Sequence, residues 1–155
     1  MVLLPKTTAQ VPEVMKVCSA HRCSVVPQSG NNSLVAGATP VEDEVVLGLS
    51  KMNTIEAFDS QTGIVRCQAG VVLQELQNFV GNQGYATPYD LGATGSCTVG
   101  GNLSTMACRI HFVKYGSLRN YVLGLEVVLP DGKILDMIGH LRKDKSGPDL
   151  KQLSI

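Results

Sequence analysis

The sequence predicts an α+β domain, and three features of the 155-residue chain indicate it. The first is a strand–helix–strand pattern, in which the apolar runs Val2–Leu4 and Ser24–Val26 flank a helix from about Gln10 to about His21. The second is a hairpin signal, Pro130-Asp131-Gly132, between two apolar runs. The third is a pair of glycine-bearing loops, which let backbone N–H groups approach a ligand closely.

Composition excludes several classes of function. Thirteen basic residues balance thirteen acidic ones without a basic stripe, so we expect no nucleic-acid partner. No apolar run reaches the ~18 residues of a membrane span. The opening residues MVLLPK do not form a targeting leader, which predicts either a cytoplasmic chain or a targeting segment that the sequence lacks. Five cysteines without a CxxC pair favour a reducing compartment and free thiols.

The remaining elements are read from periodicity and turn residues. The first two strands and their helix form a βαβ unit with parallel strands, and Pro27 ends the second strand. Gly84 ends the amphipathic helix that is predicted over Val72–Val80. The predicted strands are Glu44–Leu49, Ile55–Asp59, Ile64–Gln68, Val122–Leu129 and Lys133–Met137, and the further helices are Val72–Val80 and Leu103–Arg109, the latter starting at Asn102.

Two loops carry the candidate binding chemistry. One is Pro27–Pro40, which follows a parallel strand, where α/β proteins bind ligands. The other is Tyr85–Asn102, which packs four glycines into ten residues among Ser, Thr and Asn. Neither loop has the Walker or the Rossmann spacing. A linker is the alternative for the second loop, but the apolar Leu91 and Val99 argue against it. Two backbone cradles suit a pyrophosphate joined to a large aromatic ring system.

The residues indicate no catalytic group and no metal site. His21, His111 and His140 lie apart from any Ser or Cys nucleophile motif. Cys18, His21 and Cys23 lack the second ligand cluster that a zinc site needs. Asp90 is the one carboxylate inside the central stretch, and its position predicts a turn cap rather than a base.

Five blocks in a fixed order resemble one family. They are PQSGNNSLVAGATP, EVVLGLSKMN, CQAGVVLQEL, PYDLGATGSCTVGGNLSTMA and YGSLRNYVLGLEVVLPDG. The chain is similar over essentially its whole length to FAD-linked dehydrogenases of the vanillyl-alcohol-oxidase and p-cresol-methylhydroxylase type. Within that family it resembles the D-2-hydroxyglutarate dehydrogenases and their D-lactate dehydrogenase relatives.

The resemblance implies an FAD-binding domain with a small parallel βαβ part, over residues 1–54, and a mostly antiparallel sheet with flanking helices, over residues 55–155. It implies FAD as the cofactor and a small D-2-hydroxy acid as the substrate. The residues that it places around the pyrophosphate are Gly30, Asn31, Asn32, Ser33, Leu34 and Val35. Those that it places along the adenosine-to-flavin path are Pro88, Leu91, Gly92, Gly95, Ser96, Gly100, Gly101, Asn102 and Thr105.

The chain departs from the family pattern at defined positions. Ser29, Asn32 and Ser33 replace residues of a P-Q-G-G-N-T-G loop, and Ala36 replaces a later glycine. After Thr105 the family has Asn-Ala-Gly-Gly, where this chain has Met106, Ala107, Cys108 and Arg109. If such a glycine has a positive φ or faces the flavin, a side chain there introduces strain or occupies the ring's space.

The family continues beyond the point that corresponds to Ile155, and the substrate domain with its metal-binding histidines would follow. We therefore expect an incomplete FAD-binding domain without catalytic or metal-binding residues of its own. The family resemblance implies a mitochondrial location, and the oligomeric state stays open. The alternative hypothesis is a decayed or truncated, non-catalytic copy that keeps the fold but does not bind flavin.

Overall fold

A computed structural model describes residues 1–107, 111–139 and 147–155. Its amino-terminal part is a three-stranded parallel sheet formed by β1 (Val2–Leu3), β2 (Val25–Gln28) and β3 (Val45–Gly48), with helix α1 (Gln10–Ala20) between the first two strands. All four residues of β3 are buried, as expected for the central strand of a parallel sheet. The predicted parallel arrangement is therefore confirmed.

Two details of this sheet differ from the prediction. Strands β1 and β2 do not pair with each other, because β3 lies between them in the order β1-β3-β2. Strand β2 continues through Pro27, which pairs with Leu47, and does not end there. Proline is tolerated because β2 is an edge strand, where a missing N–H does not interrupt a second ladder.

The next elements agree with the predicted hairpin and helix. Strands β4 (Ile55–Asp59) and β5 (Ile64–Cys67) pair antiparallel, and helix α2 (Leu73–Gly81) follows. Leu73, Leu76 and Val80 form the buried face of α2, as its amphipathic pattern predicts. Past the end of the helix, Gly84 has a φ of +82°, a conformation that glycine adopts without strain.

The helix predicted to start at Asn102 starts three residues earlier. Helix α3 spans Val99–Ser104, and the side chain of Thr98 caps it by accepting a hydrogen bond from the N–H of Gly101. Two glycines inside a helix are unfavourable, but a Cβ at Gly100 would collide with Ala69, so close packing requires glycine there. Cys108 and Arg109, the end of the predicted helix, lie outside the described residues.

The carboxyl-terminal part contains a second hairpin. A short helix α4 (Phe112–Tyr115) and a 3-10 helix over Leu118–Tyr121 precede strands β6 (Leu125–Val128) and β7 (Ile134–Met137). These strands pair antiparallel, and Gly132 has a φ of +80° in the turn, so the predicted hairpin is confirmed. Strand β6 is shorter than the predicted Val122–Leu129. It begins at Leu125, because the 3-10 helix ends at Tyr121 and residues 122–124 connect the two elements.

Three buried clusters hold these elements together. Val11, Leu47 and Met52 join α1 to the parallel sheet, and Val128 of β6 packs against the same cluster. Val71, Leu76 and Val80 lie between α2 and the first hairpin. The third cluster lies under the second glycine-bearing loop and is formed by Leu73, Tyr89, Leu91, Cys97 and Leu118.

Candidate functional site

The two glycine-bearing loops lie against each other. The side-chain amide of Asn32 donates a hydrogen bond of 2.8 Å to the hydroxyl of Ser96, although the two residues are 64 positions apart. The sequence predicts that the two loops hold different parts of one ligand, and the structure brings the loops together at this contact. The contact lies at the carboxyl end of β2, where a parallel strand presents its loop to a ligand.

Gly30 is the point of closest approach between the loops. A Cβ atom at this position would collide with the carbonyl oxygen of Ser96 and lie 2.9 Å from the Cα of Cys97. Both of these are backbone atoms, which a side-chain rotation cannot move. Glycine at position 30 is therefore needed for the two loops to pack in this way.

The residue before Gly30 supplies an unused polar group. The hydroxyl of Ser29 is buried and has no hydrogen-bond partner among the described residues. Buried polar groups are normally satisfied, and an exception next to a candidate site is informative. The sequence identifies Ser29 as a departure from the family pattern but does not predict it as a site residue. The signal that could have identified it is its position, directly between β2 and Gly30.

The rest of the first loop is open to solvent. Asn31 has a φ of 50° and Ala36 a φ of 55°, so the chain turns twice through the left-handed region. Asparagine tolerates this conformation, whereas alanine is strained in it. The side chains of Leu34 and Val35 are 94% and 84% exposed, which is unusual for apolar residues. The side-chain amide of Gln28 donates a hydrogen bond of 2.8 Å to the carbonyl of Ala38, and this bond fixes the far end of the loop.

Asp90 organises the turn that begins the second loop. Its Oδ1 atom accepts hydrogen bonds from the side chains of Gln77 and Thr94, at 3.2 and 3.0 Å, and from the N–H of Leu91 at 2.9 Å. These bonds, that from Gln77 above all, hold the pKa of the Asp90 carboxyl below its usual value. A carboxylate engaged in this way stabilises a turn, which agrees with the predicted role.

Two of the predicted cofactor-binding residues are buried in the protein. Leu91 belongs to the cluster beneath the loop. Asn102 is 4% exposed, and its side-chain amide lies 3.6 Å from the sulfur of Cys97, within reach of a weak hydrogen bond. Both side chains shape the floor of the loop from below. Gly100 and Gly101, in the first turn of α3, are half-buried.

The other predicted residues of the second loop reach the surface. Gly92, Gly95, Ser96 and Thr105 are exposed, and Pro88 is half-buried. Nothing lies within 4 Å of a Cβ built on Gly92 or Gly95, so the space beside both residues is open. The hydroxyl of Thr105 donates a hydrogen bond to the carbonyl of Gly101 at 2.9 Å. The open glycines leave room for a ligand against the backbone.

Met106 is the first residue after the second loop that departs from the family pattern. It has a φ of 47°, and its side chain is 42% exposed. The resemblance implies that the family has asparagine at this position, and asparagine tolerates a positive φ better than methionine does. A positive φ thus occurs at Ala36, which replaces a glycine of the family pattern, and at Met106, which replaces an asparagine. Cys108 and Arg109 lie outside the described residues.

A large cleft lies beside the two loops, and Pro27, Val99 and Gly100 of these loops line part of it. It has a volume of about 880 Å³ and is bordered by α1, β5, α3 and β6. Of the residues predicted to bind the cofactor, only Gly100 lines it. The described residues contain no group of three or more His, Cys, Asp or Glu side chains that could hold a metal ion. Within the same residues, no helix is both long enough and apolar enough to cross a membrane.

Comparison with known proteins relates the chain to flavoproteins. Residues 1–137 match the family described as FAD binding domain. The chain is 52% identical over 155 residues to the probable mitochondrial D-2-hydroxyglutarate dehydrogenase of Oryza sativa subsp. indica. It is 49% identical to the mitochondrial D-2-hydroxyglutarate dehydrogenase of Danio rerio. Each alignment covers 100% of this chain but only 28% and 29% of the respective relative.

A solved structure of alkyldihydroxyacetonephosphate synthase has the same fold. The two superpose with a TM-score of 0.88 at 21% sequence identity, over 99% of this chain and 28% of that one. The matched family covers most of the chain, and the structural similarity extends over nearly all of it. The chain therefore belongs to the FAD binding domain family and has the α+β fold of the p-cresol-methylhydroxylase type.

Proposed function

We propose that this chain binds FAD between its two glycine-bearing loops and forms the cofactor-binding portion of a D-2-hydroxy-acid dehydrogenase. The observation that carries the proposal is the contact between the loops, with Gly30 packed on the backbone of Ser96 and Asn32 bonded to its hydroxyl. Two loops that meet in this way would offer backbone N–H groups from both segments to one ligand. Membership of the FAD binding domain family identifies that ligand as FAD.

The first loop is suited to the pyrophosphate. A dinucleotide pyrophosphate carries two negative charges, which several backbone N–H groups can stabilise without a lysine. The unpartnered hydroxyl of Ser29 lies beside the loop and could supply one further donor. The residues proposed for this role are Gly30, Asn31, Asn32, Ser33, Leu34 and Val35. The exposed Leu34 and Val35 would be partly covered by the bound cofactor.

The second loop is suited to the rest of the cofactor. Its open glycines allow a flat ring or a ribose to lie against the backbone. The residues proposed for this path are Pro88, Leu91, Gly92, Gly95, Ser96, Gly100, Gly101, Asn102 and Thr105. Of these, Leu91 and Asn102 would act by holding the loop in shape, because they are buried beneath it.

The chemistry of the reaction would come from the cofactor. FAD, when bound, accepts a hydride from the α-carbon of a D-2-hydroxy acid such as D-2-hydroxyglutarate. The residues of this chain would bind and orient the cofactor, and we assign none of them to catalysis or to a metal. The chain spans 28% of the length of its rice relative, so the complete activity is proposed for a longer protein. Its relatives' names suggest a mitochondrial location.

A second candidate function is a non-catalytic copy that keeps the fold without binding flavin. The observation that favours it is the positive φ of two non-glycine residues that depart from the family pattern, Ala36 inside the first loop and Met106 just after the second. Each costs roughly 1–2 kcal/mol of backbone strain relative to glycine. Strain at both positions would displace the loops from the conformation that the cofactor needs.

Titration of the purified chain with FAD separates the two candidates. Saturable quenching of flavin fluorescence, with an absorbance spectrum shifted from that of free FAD, would support cofactor binding. A chain that is folded by circular dichroism and shows no saturable binding would contradict it. In that case, replacing Met106, Cys108 and Arg109 with Asn, Gly and Gly should restore binding if these positions are responsible. Restored binding would attribute the loss to these substitutions in a decayed copy, and failure of this variant would point instead to the part of the family pattern that follows Ile155.

A further inference from the structure

The carboxyl end of α1 carries two free cysteines that the proposed FAD site does not use, Cys18 and Cys23. The N–H of Cys23 donates a hydrogen bond of 2.8 Å to the carbonyl of Cys18, and the N–H of Arg22 donates one of 3.1 Å to the carbonyl of Ser19. Arg22 has a φ of 54°, in the left-handed region. Two such bonds around a left-handed residue define a Schellman motif at the end of the helix.

This motif places the two cysteines close together. The residues that occupy these two positions of a Schellman motif commonly have side chains in contact. Covalent bond lengths and the 2.8 Å hydrogen bond keep the Cα atoms of Cys18 and Cys23 less than about 7 Å apart, the upper limit for a disulfide. The Sγ atom of Cys23 lies 3.9 Å from the carbonyl oxygen of His21, so this side chain lies over the end of the helix.

The two thiols differ in their access to solvent. Cys18 is 5% exposed, whereas Cys23 is exposed, and both line the cleft of about 880 Å³. A disulfide reagent in solution therefore reaches Cys23 first, because a thiol must be accessible to react. Cys18 is placed to react with a sulfur already bound at Cys23. An exposed thiol beside a second, resolving thiol is typical of cysteines that are oxidised reversibly.

The surroundings of the pair favour reaction with an anionic disulfide. Arg22 precedes Cys23 directly, lines the cleft and forms no ion pair with a carboxylate of the described residues. Its charge attracts a small anion such as glutathione disulfide, whereas Glu126, a carboxylate that also lines the cleft, belongs to β6. Cys67 lines the cleft as well, but burial raises the pKa of its thiol to about 11, so little thiolate forms there.

We propose that Cys18 and Cys23 are a site of reversible oxidation, at which glutathione disulfide converts the two thiols into an intramolecular disulfide. The thiolate of Cys23 attacks one sulfur of glutathione disulfide, forms a mixed disulfide and releases one glutathione thiolate. The thiolate of Cys18 then attacks the sulfur of Cys23 and releases the second. Two cysteine thiols are oxidised, one glutathione disulfide is reduced to two glutathione molecules, and these take up the two cysteine protons. The modification does not depend on FAD binding.

The test treats the reduced, folded 155-residue protein with glutathione disulfide, blocks the remaining thiols with iodoacetamide and maps the cysteines by mass spectrometry. Trypsin cleaves after Arg22 and separates the two thiols, because residues 17–22 contain only Cys18 and residues 23–51 contain only Cys23. We expect these two peptides to be joined by a disulfide and to separate on reduction. Unmodified thiols, a persistent glutathione adduct on Cys23, or a disulfide from Cys23 to any other cysteine would overturn the proposal.

The same reaction in glutathione buffers tests the role of the helix end. At a fixed ratio of reduced to oxidised glutathione, we expect the ratio of disulfide to dithiol to be at least tenfold higher in the folded chain than in concentrated urea. The reason is that the hydrogen bond from Cys23 to Cys18 holds the pair together only while α1 is folded. Equal ratios would contradict positioning by the fold, because proximity in the sequence would then account for the disulfide.

Serine variants provide matched controls. Cys67→Ser removes another thiol of the cleft and should leave the disulfide unchanged, and loss of the disulfide in this variant would contradict the assigned pair. Cys18→Ser should stop the reaction at the mixed disulfide on Cys23. Cys23→Ser should leave Cys18 unmodified, because Cys18 is buried. Circular dichroism establishes that each variant folds, and the peptide map of the parent chain decides the pairing without them. FAD binding is measured separately by fluorescence, so failure of one proposal is distinguished from failure of the other.

Discussion

The side-chain amide of Asn32 donates a hydrogen bond to the hydroxyl of Ser96 at 2.8 Å, and this bond ties together the two loops of the candidate FAD site. Both residues are exposed, so the bond alone contributes little to global stability. Its value lies in the alignment of two loops whose backbones would contact one ligand. Binding of a pre-aligned pair of loops costs less conformational entropy than binding of two independent ones.

The first prediction is that Asn32 and Ser96 act as a unit in FAD binding. Asn32→Ala and Ser96→Ala should each weaken FAD binding by about two- to tenfold, the range expected for a hydrogen bond of ~0.5–1.5 kcal/mol. The double variant should be no weaker than the weaker single variant, because the second change removes nothing further. Fluorescence titration measures all three. Ser60→Ala, at an exposed hairpin turn, is the control, and fully additive losses would show that the two residues act independently.

The second prediction concerns Gly30. Gly30→Ala places a methyl group against the backbone of Ser96 and Cys97, so the loops must separate. We expect a loss of about 1–3 kcal/mol of unfolding free energy, typical of overpacking, and at least a tenfold loss of FAD affinity. Urea denaturation and flavin titration measure the two effects.

Gly81→Ala serves as the matched control for that change. Gly81 is the last residue of α2, and nothing lies within 4 Å of a Cβ built on it. Alanine there should stabilise the chain by up to about 1 kcal/mol, because glycine is the poorer helix former. If Gly30→Ala proves as harmless as Gly81→Ala, the loops do not pack as described.

The third prediction concerns backbone strain at Met106. Met106→Asn should raise the unfolding free energy by about 1 kcal/mol, because asparagine tolerates the φ of 47° better. Thermal denaturation measures this as a higher midpoint. Val113→Asn introduces the same residue at a fully exposed position of helix α4 and should give no increase. A lower midpoint for Met106→Asn would show that contacts of the methionine side chain outweigh the strain.

The fourth prediction is a pH dependence that arises from Asp90. Hydrogen bonds, that from Gln77 first, lower the pKa of its carboxyl in the folded chain. A lowered pKa means that the charged form stabilises the fold above the unfolded-state pKa of about 3.9, and that this contribution is lost as the pH falls through the folded-state pKa. Asp90→Asn should therefore be less stable than the parent chain at pH 7.

The difference between Asp90→Asn and the parent chain should shrink as the pH falls below about 4, where the carboxylate of the unfolded chain becomes protonated, and the contribution of the charge should be lost only as the pH falls through the lower pKa of the folded chain. Urea denaturation at a series of pH values measures it. Asp43→Asn, at an exposed position in the loop before β3, is the control and should follow the parent chain throughout. A constant difference between pH 3 and pH 7 for Asp90→Asn would show that the charge of Asp90 has no role in stability.

The fifth prediction concerns the thiols. Burial, with a smaller effect of the nearby Glu56 carboxylate, raises the pKa of Cys67 to about 11. Because the thiolate is the reactive form, iodoacetamide at pH 8 should label Cys67 at least tenfold more slowly than the exposed Cys23. Mass spectrometry of timed samples measures both rates. Equal rates would mean that Cys67 is open to solvent in the folded chain.

Local signals in the sequence were sufficient for most of the elements. The amphipathic pattern predicts α2, and Pro130-Asp131-Gly132 predicts the turn between β6 and β7, since both depend on residues that are close in sequence. The start of α3 was misplaced because its glycines are poor helix formers. Their presence inside the helix reflects the approach of Ala69, a contact between distant residues.

In the candidate site, too, some features follow from the sequence and others depend on the tertiary structure. By itself the sequence determined two glycine-bearing loops, their resemblance to an FAD-binding family, and the positions where this chain departs from the family pattern. Only the tertiary structure decided that Gly30 packs on the backbone of Ser96, that Asn102 is buried, and that β3 lies between β1 and β2. The physical reason is that composition and spacing act along the chain, whereas close packing, burial and strand order depend on which distant segments meet.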